Sequence, residues 1–240
     1  MKTNLLLPLL LLLLLGGCVS HEDDFISKYC PGSCTVIKGR LTTDEGTQPL
    51  AGVKLNAYWR SDRGTFKIGY AERRKAVAIT DPDGNFELRF LLRDDELNAQ
   101  QNYEGYIVVS PVLEENQYFI CGGLDFIFKS FELKRSTTTT LDYNLPQKAL
   151  LDIAPKNLQA MQAGDAFAIN LEFTSGIDNA ESCSSLFGFA GSNNAQQPVP
   201  VPANQPLTLR ITRTRNGTTT ETTEILHLKP GERFSYAPAF

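Results

Sequence analysis

The sequence predicts an all-β protein made of two β-sandwich domains. Three observations carry that expectation. Apolar residues recur with period two rather than 3.6, the alternation of a half-buried strand. Turn-forming clusters punctuate these runs, as they do in antiparallel sandwiches. The one plausible helical piece of the first half, residues 93–101, is short and polar.

The first domain is expected over 34–145. Val53, Leu55, Ala57 and Trp59 share one strand face, and Lys54, Asn56, Tyr58 and Arg60 share the other. Phe86, Leu88, Phe90 and Leu92 alternate with Glu87, Arg89 and Leu91. Tyr106 to Ser110 is a continuous apolar run, and Phe126-Ile127-Phe128 opens another strand. Residues 137–145 are rich in β-branched side chains and end on Leu141, Tyr143 and Leu145. Asp44-Glu45-Gly46, Asp81-Pro82-Asp83-Gly84-Asn85 and Cys121-Gly122-Gly123 supply the turns.

The second domain is expected over 146–240. Ala149 to Ile153 is a short apolar run. Phe167, Ile169, Leu171 and Phe173 alternate with polar or small residues, as do Leu207, Leu209 and Ile211. Residues 225–228 make a further strand, and Asn216-Gly217 before it is a strong hairpin signal. Residues 176–185 read as a polar loop. Residues 191–204, with alternating prolines, read as an extended connection or edge. An immunoglobulin-like sandwich is the nearest analogy for this half.

The N-terminus reads as an address. Lys2 precedes residues 5–15, which are ten leucines and one proline. Eleven apolar residues are too few to span a bilayer, which needs about 20. The run is a secretory leader over 1–17. Leu15-Gly16-Gly17-Cys18 resembles a bacterial lipobox, in which the cysteine thiol takes the diacylglyceryl group. Cys18 is therefore the expected lipidation site and membrane contact. Ser20-His21-Glu22-Asp23-Asp24 resembles the acidic export signal that sends Bacteroidetes-type lipoproteins to the outer face of the outer membrane. Residues 18–33 form the expected lipidated tether.

With Cys18 taken by lipid, four of the five cysteines remain: Cys30, Cys34, Cys121 and Cys183. An exported protein permits disulfides. Four cysteines allow three pairings, and the sequence leaves all three open. Cys-x3-Cys has no nearby second pair to complete a zinc site.

The first half also carries a family pattern. Gly39-Arg40-Leu41 and Asp44-Glu45-Gly46 precede Pro49-Leu50-Ala51-Gly52-Val53-Lys54-Leu55, and Thr80-Asp81-Pro82-Asp83-Gly84-Asn85-Phe86 follows. This resembles the carboxypeptidase regulatory-like family, a transthyretin-like β-sandwich, over residues 35–145. The resemblance implies an accessory module without chemistry of its own. The chain departs from it in residues 60–75, which are longer than usual and rich in Arg and Lys. They read as a solvated hairpin or loop, or else as a contact surface for an acidic glycan or partner.

Removal of Lys2 with the leader leaves 22 basic residues against 27 acidic. That balance argues against nucleic acid as a partner. Two histidines, one in the tether and one at 227, cannot build a histidine-rich metal site. No Gly-x-Ser-x-Gly, His-Glu-x-x-His or P-loop pattern occurs. Asp81 opens like a calcium loop, but position 12 is Leu92 rather than Glu, so a β-turn is the reading. No enzyme activity and no cofactor are expected. Tyr58, Trp59 and Tyr70 are the candidate ligand contacts, as a sugar-stacking platform; Trp59 also fits the core face of its strand. Lys38 or Lys54 with Asn144 are candidates for an isopeptide crosslink. The expected role is a non-enzymatic outer-membrane surface lipoprotein, structural or binding. The alternatives are glycan or peptide recognition in nutrient uptake alongside an outer-membrane partner, and a pilus or adhesin component.

Overall fold

The computed structural model describes residues 21–23, 30, 32–62, 70–97, 105–114, 117–177, 181–189 and 198–240. The leader, Cys18, and Arg63 and Lys67 of the basic segment lie outside these residues.

The chain is all-β, with several sheets. In the first half the strands are β1 (His21–Asp23), β2 (Thr35–Thr43), β3 (Gln48–Pro49), β4 (Lys54–Asp62), β5 (Tyr70–Ile79), β6 (Asn85–Phe90), β7 (Gly105–Val112), β8 (Phe128–Ser130), β9 (Thr138–Thr140) and β10 (Tyr143–Asn144). One sheet has the order β1-β5-β4-β7-β8. The facing sheet centres on β2, which pairs with β3 and β6 antiparallel and with β9 and β10 parallel. Between them lies a core in which Leu41, Leu55, Leu88, Phe90, Leu92, Leu141 and Leu145 have no exposure. Each such side chain contributes about 1.5–3 kcal/mol relative to leaving it in water. Gly39 is required at the centre of β2, because a Cβ there would collide with the backbone of Leu141.

The second half contains β11 (Lys148–Ile153), β12 (Ala166–Ile177), β13 (Glu181–Phe189), β14 (Pro198–Pro202), β15 (Pro206–Arg215), β16 (Thr218–His227) and β17 (Arg233–Tyr236). β12 pairs with β13 and β15, and β15 pairs with β16. The facing sheet is β14-β11-β17. Their core includes Leu151, Phe167, Ile169, Leu171, Val201, Leu207, Leu209 and Ile211. β14 is an edge strand carrying Pro198, Pro200 and Pro202, where the missing N–H groups cost no ladder bonds.

Two expectations are corrected here. The described residues of 176–185 are strand rather than loop: β12 runs to Ile177 and β13 begins at Glu181. Ser182 and Ser184 are exposed while Cys183, Ser185 and Phe187 turn inwards, so Ser185 interrupts the apolar face that would mark the strand. Residues 18–33 are not wholly a free tether either. His21–Asp23 pairs as β1, parallel to β5, with Glu22 in register with Arg73 and Asp23 with Arg74.

Within the helical expectation at 93–101 the described residues hold α1 (Asp94–Leu97), and 98–101 lie outside the described residues. Glu96 accepts a hydrogen bond from the Arg93 backbone N–H at 2.8 Å. That contact satisfies one of the donors a helix start leaves open.

The registers give the first sandwich two ends. At one end Thr35 faces Phe90, α1 follows, and Glu96 bonds to Lys75 beside the stretch of β5 that pairs with β1. At the other end Arg40 faces Asn85, and β10 pairs with Leu41 and Thr42. β10 pairs at the same time with Gly176 and Ile177 of β12. One sheet therefore runs continuously from the first sandwich into the second.

Candidate functional site

The expected ligand face does not assemble as a platform. Within β4, Leu55, Ala57 and Trp59 point into the core, and Trp59 is only 7% exposed. Its indole is closed off by Gly105, where any Cβ would strike Nε1. The Arg73 guanidinium lies over the ring at 5.1 Å. Trp59 therefore serves the core and cannot stack on a sugar. Tyr58 points to the opposite face and is half-buried, with Arg60 5.6 Å from its ring. Burial, and next the Glu72 carboxylate, raise its phenol above the ordinary range. Tyr70 enters as the first residue of β5, in register with Asp62.

The described cations of the basic segment are engaged within the fold rather than solvated. Arg60 donates to Glu72 at 2.6 Å and to both carboxylate oxygens of Asp125 at 2.8 and 3.2 Å. Arg73 reaches Asp95 at 2.7 Å and Glu96 at 3.2 Å. The pairing of β4 with β5 shifts between Ala57 and Tyr58, leaving Lys75 as an extra residue on β5. Such a bulge re-aims a side chain. Lys75 Nζ contacts the two Glu96 oxygens at 2.9 and 2.8 Å, with both side chains fully buried. An acidic-partner surface made of Arg60, Arg73 and Lys75 is thereby ruled out.

The other expected chemistry is also placed. Asp81 spends its carboxylate on its own turn, accepting from the N–H groups of Asp83 and Asn85. The Asn85 side chain, first among several donors, holds it below the usual carboxylate range. Lys38 faces Thr140, while Asn144 faces Thr42, four residues further along β2 and about 13 Å away. Lys54 lies on the other sheet. Neither lysine is placed to crosslink Asn144, whose Oδ1 accepts from the Gly46 N–H. Among the described residues no group of three or more His, Cys, Asp or Glu could hold a metal ion.

The most heavily built region is the seam between the sandwiches. Cys121 is bonded to Cys183 across it, and Cys30 is bonded to Cys34 within the N-terminal segment. Phe119 packs edge-on against Phe173 at 5.2 Å. Asn204 Nδ2 donates to Asp44 Oδ1 at 2.8 Å. Asp44, Glu45 and Asn204 all have positive φ, a conformation that non-glycine residues adopt at a cost. A cleft of about 530 Å³ opens here, lined by Asp44, Glu45, Thr47, Asn204, His227, Leu228 and Lys229. Sequence reasoning missed this seam. Its signals in the sequence were the acidic turn Asp44-Glu45-Gly46 and the cysteines at 121 and 183, whose pairing the sequence left open.

No protein-family model matches the sequence, and no curated protein matches it. Among solved structures the chain is similar to 3-chlorocatechol 1,2-dioxygenase from Rhodococcus opacus, at 16% identity and a TM-score of 0.28. That match covers 52% of this chain and 66% of the dioxygenase, just under two thirds of its length. The shaft pilin SpaA from Lactobacillus rhamnosus GG matches at 11% identity and a TM-score of 0.30, covering 86% of this chain and 96% of the pilin. A streptococcal ancillary pilin matches at 9% identity and a TM-score of 0.29, covering 87% of this chain and 63% of that one. At these values each is a distant likeness.

Proposed function

We infer that the chain is a non-enzymatic, lipid-anchored surface module, in which the first sandwich acts as a stalk and the second is displayed at its far end. The observation that carries this reading is the opposition of two pairings. β1 joins β5 at one end of the first sandwich, and β10 joins β12 at the other. β1 runs parallel to β5, so the chain upstream of His21 leaves from the first end. Cys18 is three residues upstream, within about 10 Å along an extended chain. A lipid there puts the second sandwich on the side away from the membrane.

The seam supports a display role because it stiffens the join. A continuous sheet, a disulfide and an aromatic contact all cross it, whereas a flexible linker would let the display domain fold back onto the membrane. The first sandwich is read as carboxypeptidase regulatory-like, supported by its paired sheets and by the positive φ of Gly46 and Gly84 in the motif turns. The second is read as immunoglobulin-like, supported by two facing sheets around one core. The acidic residues after Cys18 favour the outer face of the outer membrane.

The test is made in cells with the full chain and with Cys18→Ala. The native chain is expected to incorporate a labelled palmitate and to be cleaved when intact cells are treated with trypsin. Cys18→Ala is expected to lose the label and the membrane. A native chain without label, or one cleaved only after lysis, contradicts the reading.

A further inference from the structure

We propose that the hairpin end of the second sandwich carries an anion-binding cleft, built on Arg213 and Arg215, whose ligand is an acidic sugar bearing a carboxylate or sulfate. β15 presents Leu207, Leu209, Ile211, Arg213 and Arg215 along one face. The first three lie in the core. The same face turns cationic as the strand approaches the Asn216-Gly217 turn, where Arg213 and Arg215 stand opposite Thr220 and Thr218 of β16. A cleft of about 360 Å³ opens there, lined by the two arginines, Thr218, Thr220, Ala239 and Phe240. Small-molecule sites occupy about 300–1,000 Å³.

Aromatic rings hold both guanidiniums without neutralising them. Arg213 lies over Phe167 at 5.5 Å and Arg215 over Phe240 at 4.3 Å. The two rings meet edge-on at 5.9 Å. Stacking occupies the flat face of a guanidinium and leaves its in-plane N–H groups available. Arg213 spends Nε on the Ala239 carbonyl at 2.8 Å and Nη1 on Thr222 Oγ1 at 2.9 Å, and its Nη2 has no acceptor among the described residues. The Arg215 side chain donates to no described residue, and neither arginine has an ion pair among them. The nearby carboxylates are engaged elsewhere. Asp165 accepts from the backbone N–H groups of Gln162 and Asn216, both at 3.0 Å. Glu224 lies beside the Tyr236 phenol, where it adds to burial in raising that group above its ordinary range. Arg210, on the opposite face of the same strand, shows the contrast: its charge is met by Glu172 and Glu221, each at 3.1 Å.

The lining identifies the ligand. Guanidiniums with unmet donors favour an anion with several oxygens, as in a carboxylate or sulfate. Thr218 and Thr220 are exposed beside them, and their hydroxyls can exchange hydrogen bonds with those of a sugar. Phe167 and Phe240 are only 2% and 5% exposed, so the cleft offers no aromatic surface to the apolar side chains of a peptide. The Asn216-Gly217 turn is at the opposite end of β16 from His227 in the seam cleft, which puts the arginines where a display module would present them. That placement rests on the anchored reading above; the binding chemistry does not.

The test is titration calorimetry of the full mature lipoprotein in neutral detergent micelles at low ionic strength. The probes are trigalacturonate, its methyl ester, a sulfated disaccharide and a hexaglutamate peptide. At least one of the two acidic saccharides is expected to bind, one per chain, and more weakly as salt is raised. The methyl ester and the peptide should bind about tenfold more weakly or worse. Arg215→Gln, at an exposed position, should weaken binding about tenfold or more while keeping its urea midpoint. Arg210→Gln removes the same charge from the other face and should leave binding unchanged. Absence of binding by both acidic saccharides, which the chain's own terminal carboxylate would produce by filling the cleft, overturns the proposal. Equal binding of the methyl ester or the peptide, undiminished binding by Arg215→Gln, or an equal loss in Arg210→Gln would each overturn it too. Failure of the anchored reading would appear separately, in the labelling and shaving of intact cells.

Discussion

Lys75 Nζ lies 2.8 Å from Glu96 Oε2, inside a core where neither side chain meets solvent. The β-bulge in β5 aims Lys75 inwards, and α1 places Glu96 to receive it. Glu96 also accepts from Arg73 and from the Arg93 backbone N–H. A buried pair of this kind adds little compared with an apolar one, but removing one member strands the other. Glu96→Gln is therefore expected to cost about 3–5 kcal/mol in urea unfolding. The double variant Lys75→Met/Glu96→Met is expected to recover most of that loss. Equal stability of Glu96→Gln and the native chain would contradict the assignment.

Trp59 is the chain's single tryptophan, so its fluorescence reports one place. Its burial predicts blue-shifted emission that iodide barely quenches. Gly105→Ala forces a methyl group against the indole nitrogen. Overpacking of this kind costs about 1–3 kcal/mol. The variant should show red-shifted emission and a lower urea midpoint. Ready quenching in the native chain would mean that the ring is exposed.

The Cys121–Cys183 bridge closes a loop with a sequence separation of 62. Loop-closure entropy assigns such a bridge about 4 kcal/mol, against about 2 for the short Cys30–Cys34 loop. Cys121→Ser/Cys183→Ser should lower the unfolding free energy more than Cys30→Ser/Cys34→Ser does. The reverse order, measured by denaturant titration under oxidising conditions, would show that the seam bridge is not what secures the second sandwich.

Acid should loosen the outer face of the first sandwich. The hydrogen bonds from Arg60, first among the causes, hold Asp125 below the ordinary carboxylate range. A carboxyl depressed in the folded state stabilises above its unfolded pKa, and that contribution is lost as pH falls through the folded value. The unfolded value is about 3.9. Melting temperature is thus expected to be level above about pH 5 and to fall below about pH 4. Arg60→Gln should flatten part of that fall. An unchanged slope in Arg60→Gln would remove this pair from the account.

Much of the fold was legible because one-sided burial writes period two into a strand. The alternation from Val53 to Trp59 already turned the indole towards the core. The aromatic cluster around it suggested a platform only because sequence adjacency ignores which face each ring takes. Lys75 was not legible, since its inward turn comes from a slipped register with β4, a partner that the local sequence does not name. β13 was hidden because Ser185 interrupts the inward face that Cys183, Phe187 and Phe189 share, while Leu186 stands on the exposed one. The seam was hidden for a related reason: β10 is two residues long, too short to carry a period. The docking of His21–Asp23 on β5 was masked by an acidic composition that reads as tether.

The central claim is polarity: the anchor at one end, the second sandwich at the other. Lys134 lies beside Thr35 at the proximal end, and Asn216 is at the far hairpin turn. Energy transfer from a dye at Lys134→Cys or Asn216→Cys to an acceptor in the bilayer, with the lipidated chain in vesicles, measures this directly. Strong transfer from position 134 and little from position 216 is the predicted result. Equal transfer, or stronger transfer from position 216, would contradict it.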